Sequence, residues 1–184
     1  MAKHLYENIY EKADYVREKY FVDTYPVSFD KFDEIFEDLH YKVKFFDNCD
    51  KSCVIGNMLI VGNTSMDEEE FLRKNSTLSD ETKKRREALA HEAGHLFCHS
   101  INQLESLDLS LNKEEAQADA FSLYFLIPDD LFESFYKESY NSYGSFNYYE
   151  ASDTFGVTVE FIKKRKKYFE KSMRHEKERF FDDF

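Results

Sequence analysis

The sequence predicts an α+β domain, with helices packed on a small, mostly antiparallel sheet and a short helical element at the C-terminal end. Three observations predict it. Residues 41–47 alternate apolar and polar, as a half-buried strand does. Two short apolar runs, 53–55 and 58–61, flank Gly56-Asn57, a turn signal between strands. On both sides lie long stretches whose apolar residues recur every three or four positions, the period of an amphipathic helix.

Taken in order, Leu5, Ile9, Tyr15, Val16 and Tyr20 set a first helix over 5–21. Asp23-Thr24-Tyr25-Pro26 breaks it. Ser28 is placed as the N-cap of a second helix, whose stripe is Phe29, Phe32, Ile35, Phe36 and Leu39 and which ends near His40. The sheet follows. Residues 65–83 are polar, with a short helix expected at 67–74. A long helix begins at Asp80 and runs through Ala88, Leu89, Leu96 and Phe97 to about Ser100. A polar connection covers 102–112, and the next helix runs from about Lys113 to Ile127, where Pro128 stops it. Asp129 or Asp130 can cap a further helix ending near Tyr140. A turn-rich stretch at 141–147 leads to two short helices, 148–155 and 159–169, around Gly156-Val157-Thr158. The charged tail from Ser172 is expected to fray. The expected division is 1–140 for the main domain and 141–184 for the C-terminal helical element and tail.

At 184 residues the chain can bury a core without disulfide staples. Its 42% hydrophobic content argues against disorder. The net charge of -12 disfavours recognition of nucleic acid through phosphate neutralisation and docking to an anionic membrane surface. Three cysteines are too few, and the wrong parity, for a secreted disulfide framework. The first residues lack the apolar core of a signal peptide, and no run approaches a membrane span. A cytoplasmic protein is the expectation.

The chemistry concentrates in His91-Glu92-Ala93-Gly94-His95. Residues i and i+4 of a helix share a face, so the two imidazoles can bind one zinc ion. Glu92 lies beside the first of them and can act as general base on a water that the metal acidifies. The duller alternative is a charged helix with two surface histidines. Leu89, Ala93, Leu96 and Phe97 argue against it, because they make the helix amphipathic.

A catalytic zinc needs a third protein ligand and an open position. Glu115 and Asp119, i and i+4 on the following helix, are the best source. Glu115 can ligate, and Asp119 can accept the free ring N–H of a ligand histidine. An ordinary solvated acidic face is the alternative.

These segments resemble the ImmA/IrrE family of zinc metallopeptidases. That family has HExGH with a further His, then a helix of the form E-x-x-x-[ND]-x-F leading to Pro. This chain has LAHEAGHLFCH at 89–99 and EAQADAFSLYFLIP at 115–128. The resemblance runs from about Ser28 to Phe169. It implies a zincin-like fold with His91, His95 and Glu115 as zinc ligands, Glu92 as catalytic base and Asp119 behind the ligands. Family members often have Asn at that last place. The spacing is also similar to thermolysin-like enzymes, in which the third ligand follows the second His by about twenty residues. The resemblance further implies cleavage of a helix-turn-helix repressor or an antitoxin-like protein, which derepresses an operon or mobile element. The rival is a metal-dependent regulator that engages a repressor or DNA without cutting it.

Weaker features complete the reading. His99 can be a further ligand, a transition-state donor or a packing residue, and the part expected for it is supporting the ligands. Gly94 suggests close approach of a strand or a substrate backbone. Cys49 and Cys53 are expected to be small, partly buried residues, and Cys98, on the helix of the motif, is expected to be packed. Residues 149–169 can read as a helix-turn-helix, and the basic run Lys163–Lys167 can touch DNA or a protein substrate. A solvated face on an acidic body is the favoured reading.

Overall fold

The structure is a computed structural model. It describes residues 2–46, 52–62, 79–98 and 108–182, with side chains described at 9–46, 52, 55–62, 79–98 and 112–173. The helix expected at 67–74, Cys49 and His99 lie outside the described residues, as does the side chain of Cys53. Seven helices and one three-stranded sheet make up the described part: α1 (Ala2–Lys19), α2 (Phe29–Asp38), β1 (Lys42–Phe46), β2 (Cys53–Ile55), β3 (Met58–Gly62), α3 (Asp80–Cys98), α4 (Asp108–Leu126), α5 (Asp129–Tyr143), α6 (Tyr148–Phe155) and α7 (Val159–Asp182). The α+β class expected from the sequence is the class observed.

The sheet order is β1-β3-β2. A two-residue turn at Gly56-Asn57, with Gly56 at φ +62°, makes β2 antiparallel to β3 over Cys53↔Ile60 to Ile55↔Met58. The longer pairing, Lys42↔Met58 to Phe46↔Gly62, is parallel. The sheet is therefore mixed rather than mostly antiparallel. Two chain reversals separate β1 from β3, so they point the same way. The most apolar run, β3, takes the centre with Leu59 and Val61 fully buried. At the edge, β1 exposes Lys42 and Lys44, charges that guard against pairing with another chain.

Helices cover the sheet. On α1 the stripe Ile9, Ala13, Val16 and Tyr20 is buried. The helix is tied to α2 where the Tyr20 hydroxyl and Lys19 Nζ both donate to Asp38 Oδ2, at 2.6 and 2.7 Å. Ser28 sits at the N-cap position of α2, but its side chain makes no capping bond. The cap of α3 is Ser79, whose Oγ accepts from the Thr82 amide. Further on, α4 starts at Asp108, ahead of the expected Lys113. Residues 108–112 hold neither Gly nor Pro, so nothing breaks the helix there. Pro128 takes the N-cap position of α5, with Asp129 as its first residue. The left-handed Gly144 ends α5 after Tyr143. The tail does not fray at Ser172. Instead α7 continues to Asp182, through a stretch of helix formers without Gly or Pro.

The core is built from phenylalanine rather than tryptophan. Phe97, Phe121 and Phe125 stack in succession, with centroids 5.9 and 5.7 Å apart. Around Phe132 gather Phe146, Phe155 and Phe169, at 5.7, 6.5 and 5.3 Å. The second cluster locks α5, α6 and α7 together.

What holds α3 in place is a set of buried charges. Arg85 lays its guanidinium 3.7 Å above the centre of the Phe45 ring. Arg86, 1% exposed, donates from Nε to the Val27 carbonyl at 2.8 Å and from Nη1 to the Gly156 carbonyl. Burial pushes its pKa down to about 10. Lys83 reaches Ser152 Oγ at 2.9 Å and Asp153 at 2.6 Å. The Glu87 carboxylate accepts from the Thr158 amide. So one face of α3 clamps the α6–α7 turn. Gly156 is required there: at φ +61° its backbone is left-handed, and a Cβ would lie 2.5 Å from Pro26 Cβ. Arg86→Met should destabilise the fold by about 3 kcal/mol, because it leaves two buried carbonyls without a donor. Thermal unfolding should shift down by about 6–12 °C. An unchanged midpoint would show that the clamp contributes nothing.

Candidate metal centre

Helix α3 carries His91 and His95 one turn apart, and α4 passes close enough to bring Glu115 to them. Their closeness has a local cause. Ala90, Ala93, Ala118 and Ala120 are fully buried. Opposite Ala118, Gly94 has no side chain at all; a Cβ there would sit 2.8 Å from Ala118 Cα and 2.9 Å from its carbonyl oxygen. The close approach anticipated for Gly94 is therefore that of the α4 backbone, not of a strand or substrate.

His91 Nε2 and His95 Nε2 are 3.0 Å apart. The Glu115 carboxylate lies 3.3 Å from His91 Nε2 and 3.5 Å from His95 Nε2. One donor atom from each of the three residues falls within a 4.8 Å cluster. Behind the cluster, Asp119 Oδ1 is 3.1 Å from His91 Nδ1. With the ring proton assigned to Nδ1 for that bond, His91 Nε2 turns a lone pair toward the other donors. With His95 Nε2 unprotonated as well, three lone-pair donors would face one another, an arrangement that a cation between them would satisfy. The donor set, two imidazoles and a carboxylate, suits zinc.

The electrostatics point the same way. Burial alone would lower the pKa of His91. The Asp119 hydrogen bond and the charges of Glu92, Asp119 and Glu115 outweigh it and raise the value. The neighbouring carboxylates therefore favour positive charge at His91. Asp119 is held below its usual range, first by its bond to His91 and, against burial, by the nearby Lys164.

Glu92 is 7% exposed and shares the helix with both histidines without joining their cluster. Burial raises its pKa to about 7, the Glu115 charge adds to this, and His91 and a hydrogen bond from Ser52 oppose it. A carboxyl with that pKa can both take and return a proton near neutrality. Ser52 also accepts from the Gly62 amide at 3.2 Å, so the sheet reaches the buried carboxyl through one hydroxyl. Sequence reasoning missed Ser52; nothing in the spacing of 52 and 92 connects them.

Other expected features fare unevenly. Cys98, expected to be packed, is a free thiol partly buried against the core. The basic run of α7 is not a continuous solvated face. Arg165 is completely buried, donating to the Ile127 carbonyl at 2.9 Å and to Asp129. Lys166 pairs with Glu170, and Lys164 lies 3.5 Å from Asp119. Much of this positive charge is therefore engaged within the chain. No described helix is long and apolar enough to cross a membrane.

Comparison with known proteins adds one result. Residues 54–167, more than half the chain, match the model of the Peptidase_M78 family, described as the IrrE N-terminal-like domain. No curated protein and no solved structure gives a significant match.

Proposed function

We propose, from the premise that the chain belongs to the Peptidase_M78 family of IrrE N-terminal-like domains, that it is a cytoplasmic zinc endopeptidase. His91, His95 and Glu115 hold the metal, and Glu92 serves as catalytic base. The observation that carries this reading is the convergence of three ligand atoms within 4.8 Å on the helix that also buries Glu92.

The chemistry a bound zinc supplies is Lewis acidity toward the scissile carbonyl and toward a water. The chain's own residues do the rest. Glu92 takes the proton of the attacking water on its carboxylate and returns it to the departing amine nitrogen. Burial of its carboxyl favours the protonated form, which the second half of that transfer uses. Ser52 steadies the Glu92 carboxylate, and Asp119 fixes the tautomer and orientation of His91. Because Ser52 immediately precedes β2, the β2 edge flanks the base. A substrate segment extended along that edge would pair its backbone there, which accepts many sequences.

The substrate we propose is a helix-turn-helix repressor or antitoxin-like protein, cut to derepress an operon or mobile element. The division into a peptidase unit at 1–140 and a C-terminal element at 141–184 belongs to the same proposal. His99 is assigned a supporting part beside the ligands.

The deciding experiment is metal content of untagged protein by mass spectrometry, with His91→Ala and Glu115→Ala alongside. Near-stoichiometric zinc is expected in the wild type. His91→Ala should lose it, and Glu115→Ala should retain it only weakly through dialysis. A wild type that keeps no metal after zinc is supplied would overturn the peptidase reading. An unchanged affinity in Glu115→Ala would move the third ligand elsewhere.

A further inference from the structure

Asp119 holds His91 with one oxygen only. Its Oδ1 is 3.1 Å from His91 Nδ1, and its Oδ2 faces Lys164 Nζ at 3.5 Å. The Asp119 side chain is 46% exposed. A carboxylate in that position, with one oxygen in water, can turn away from the ring it is meant to orient. A cation on the second oxygen restricts that turn.

Lys164 has a 62% exposed side chain, so its own burial does not place it. The anchoring of α7 does. At the helix start, Glu87 holds the Thr158 amide and Arg86 holds the Gly156 carbonyl. Next to Lys164 in the chain, the fully buried Arg165 is fixed on the Ile127 carbonyl and on Asp129. The anchors come from α3 and from the α4–α5 junction, so α7 is tied to the two helices that carry His91, His95 and Glu115. His91, Asp119 and Lys164 also share the wall of a cavity of about 440 Å³ between these helices and α7.

We infer that Lys164 is a positioning residue of the metal centre, acting through Asp119 to hold the His91 ring in its ligating orientation. The C-terminal element thereby completes the site rather than merely following it. The inference rests on the zinc reading above.

Charge and orientation predict opposite signs, which makes the idea testable. By charge alone, removing a cation near a bound cation would tighten zinc binding. By positioning, it loosens it. Zinc affinity of the full chain is measured by competition with a chromophoric chelator, for the wild type, Lys164→Met, Lys164→Arg, Asp119→Asn and the double variant Asp119→Asn/Lys164→Met. Lys164→Met should weaken zinc about five-fold, below the roughly 10–100-fold effect of groups that orient ligands directly, because Lys164 acts only through Asp119. Lys164→Arg should restore affinity to within about two-fold of wild type, since it keeps the cation. In the Asp119→Asn background, Lys164→Met should change nothing further, because the group it acts through is gone. Equal or tighter zinc binding by Lys164→Met overturns the inference. So does an undiminished five-fold loss in the Asp119→Asn background. A wild type without zinc affinity would instead remove the functional reading itself, a different and separately visible result.

Discussion

Replacing Glu92 with Gln should leave zinc bound and cut peptide hydrolysis about a thousand-fold, within the range general acid–base catalysis commonly contributes. The substitution is nearly isosteric, so the packing of this buried side chain survives. Gln cannot accept the proton of an attacking water. The Ser52 hydroxyl can still donate to the amide oxygen, so the local hydrogen bond need not be lost. The three donors His91, His95 and Glu115 are untouched. Zinc content by mass spectrometry and cleavage of a quenched-fluorescent peptide library, both against wild type, separate the two properties. Zinc retained with activity lost assigns the base. Zinc retained with activity near wild type would exclude Glu92 from proton transfer and turn attention to another group near the ligands.

Gly94→Val should be the most damaging single change in the described core of the site. Removing a helical glycine ordinarily gains up to about 1 kcal/mol of helix propensity. Here a Cβ meets the Ala118 backbone at 2.8–2.9 Å, which real contacts do not show. Backbone cannot rotate out of the way as a side-chain tip can. The helices must part, and overpacking of this kind costs about 3 kcal/mol or more. Steric cost therefore outweighs propensity. The unfolding midpoint should fall by about 6–12 °C, the shift expected for a chain of this size. Zinc affinity should fall as well, because α3 and α4 carry different ligands and their separation spreads the cluster. Gly94→Ala should show the same pattern at smaller amplitude. A Gly94→Val protein with wild-type melting and zinc affinity would show that the helix contact relaxes freely and does not set the site.

The two effects differ in kind. On the proposed mechanism Glu92→Gln would remove a function from an intact fold, whereas Gly94→Val would disturb the packing from which the site arises. The buried charges at 83–87 belong with the second kind. Nothing in the spacing of Lys83, Arg85, Arg86 and Glu87 connects them to the C-terminal helices. In the fold they are nearly all buried; Lys83 reaches α6, and Arg86 and Glu87 reach the α6–α7 turn. Burial of charge is tolerated only where partners satisfy it, and those partners come from some seventy positions away.

What the sequence determined by itself is what local geometry dictates. The i, i+4 rule puts His91 and His95 on one face of a helix, and Glu115 and Asp119 on one face of the next. Alternation marks β1, a Gly-Asn turn marks the β2–β3 hairpin, and Pro128 stops α4. These follow from periods of two and 3.6 residues, which any short window contains. What only the tertiary structure decided is which faces meet. It set the parallel pairing of β1 with β3, gave Gly94 its reason in the Ala118 backbone, and brought Ser52 to Glu92 and Lys164 to Asp119. None of these pairs has a sequence period. Each forms because apolar burial draws whole helices and the sheet together, and the polar side chains caught between them must then find partners where the packing leaves them.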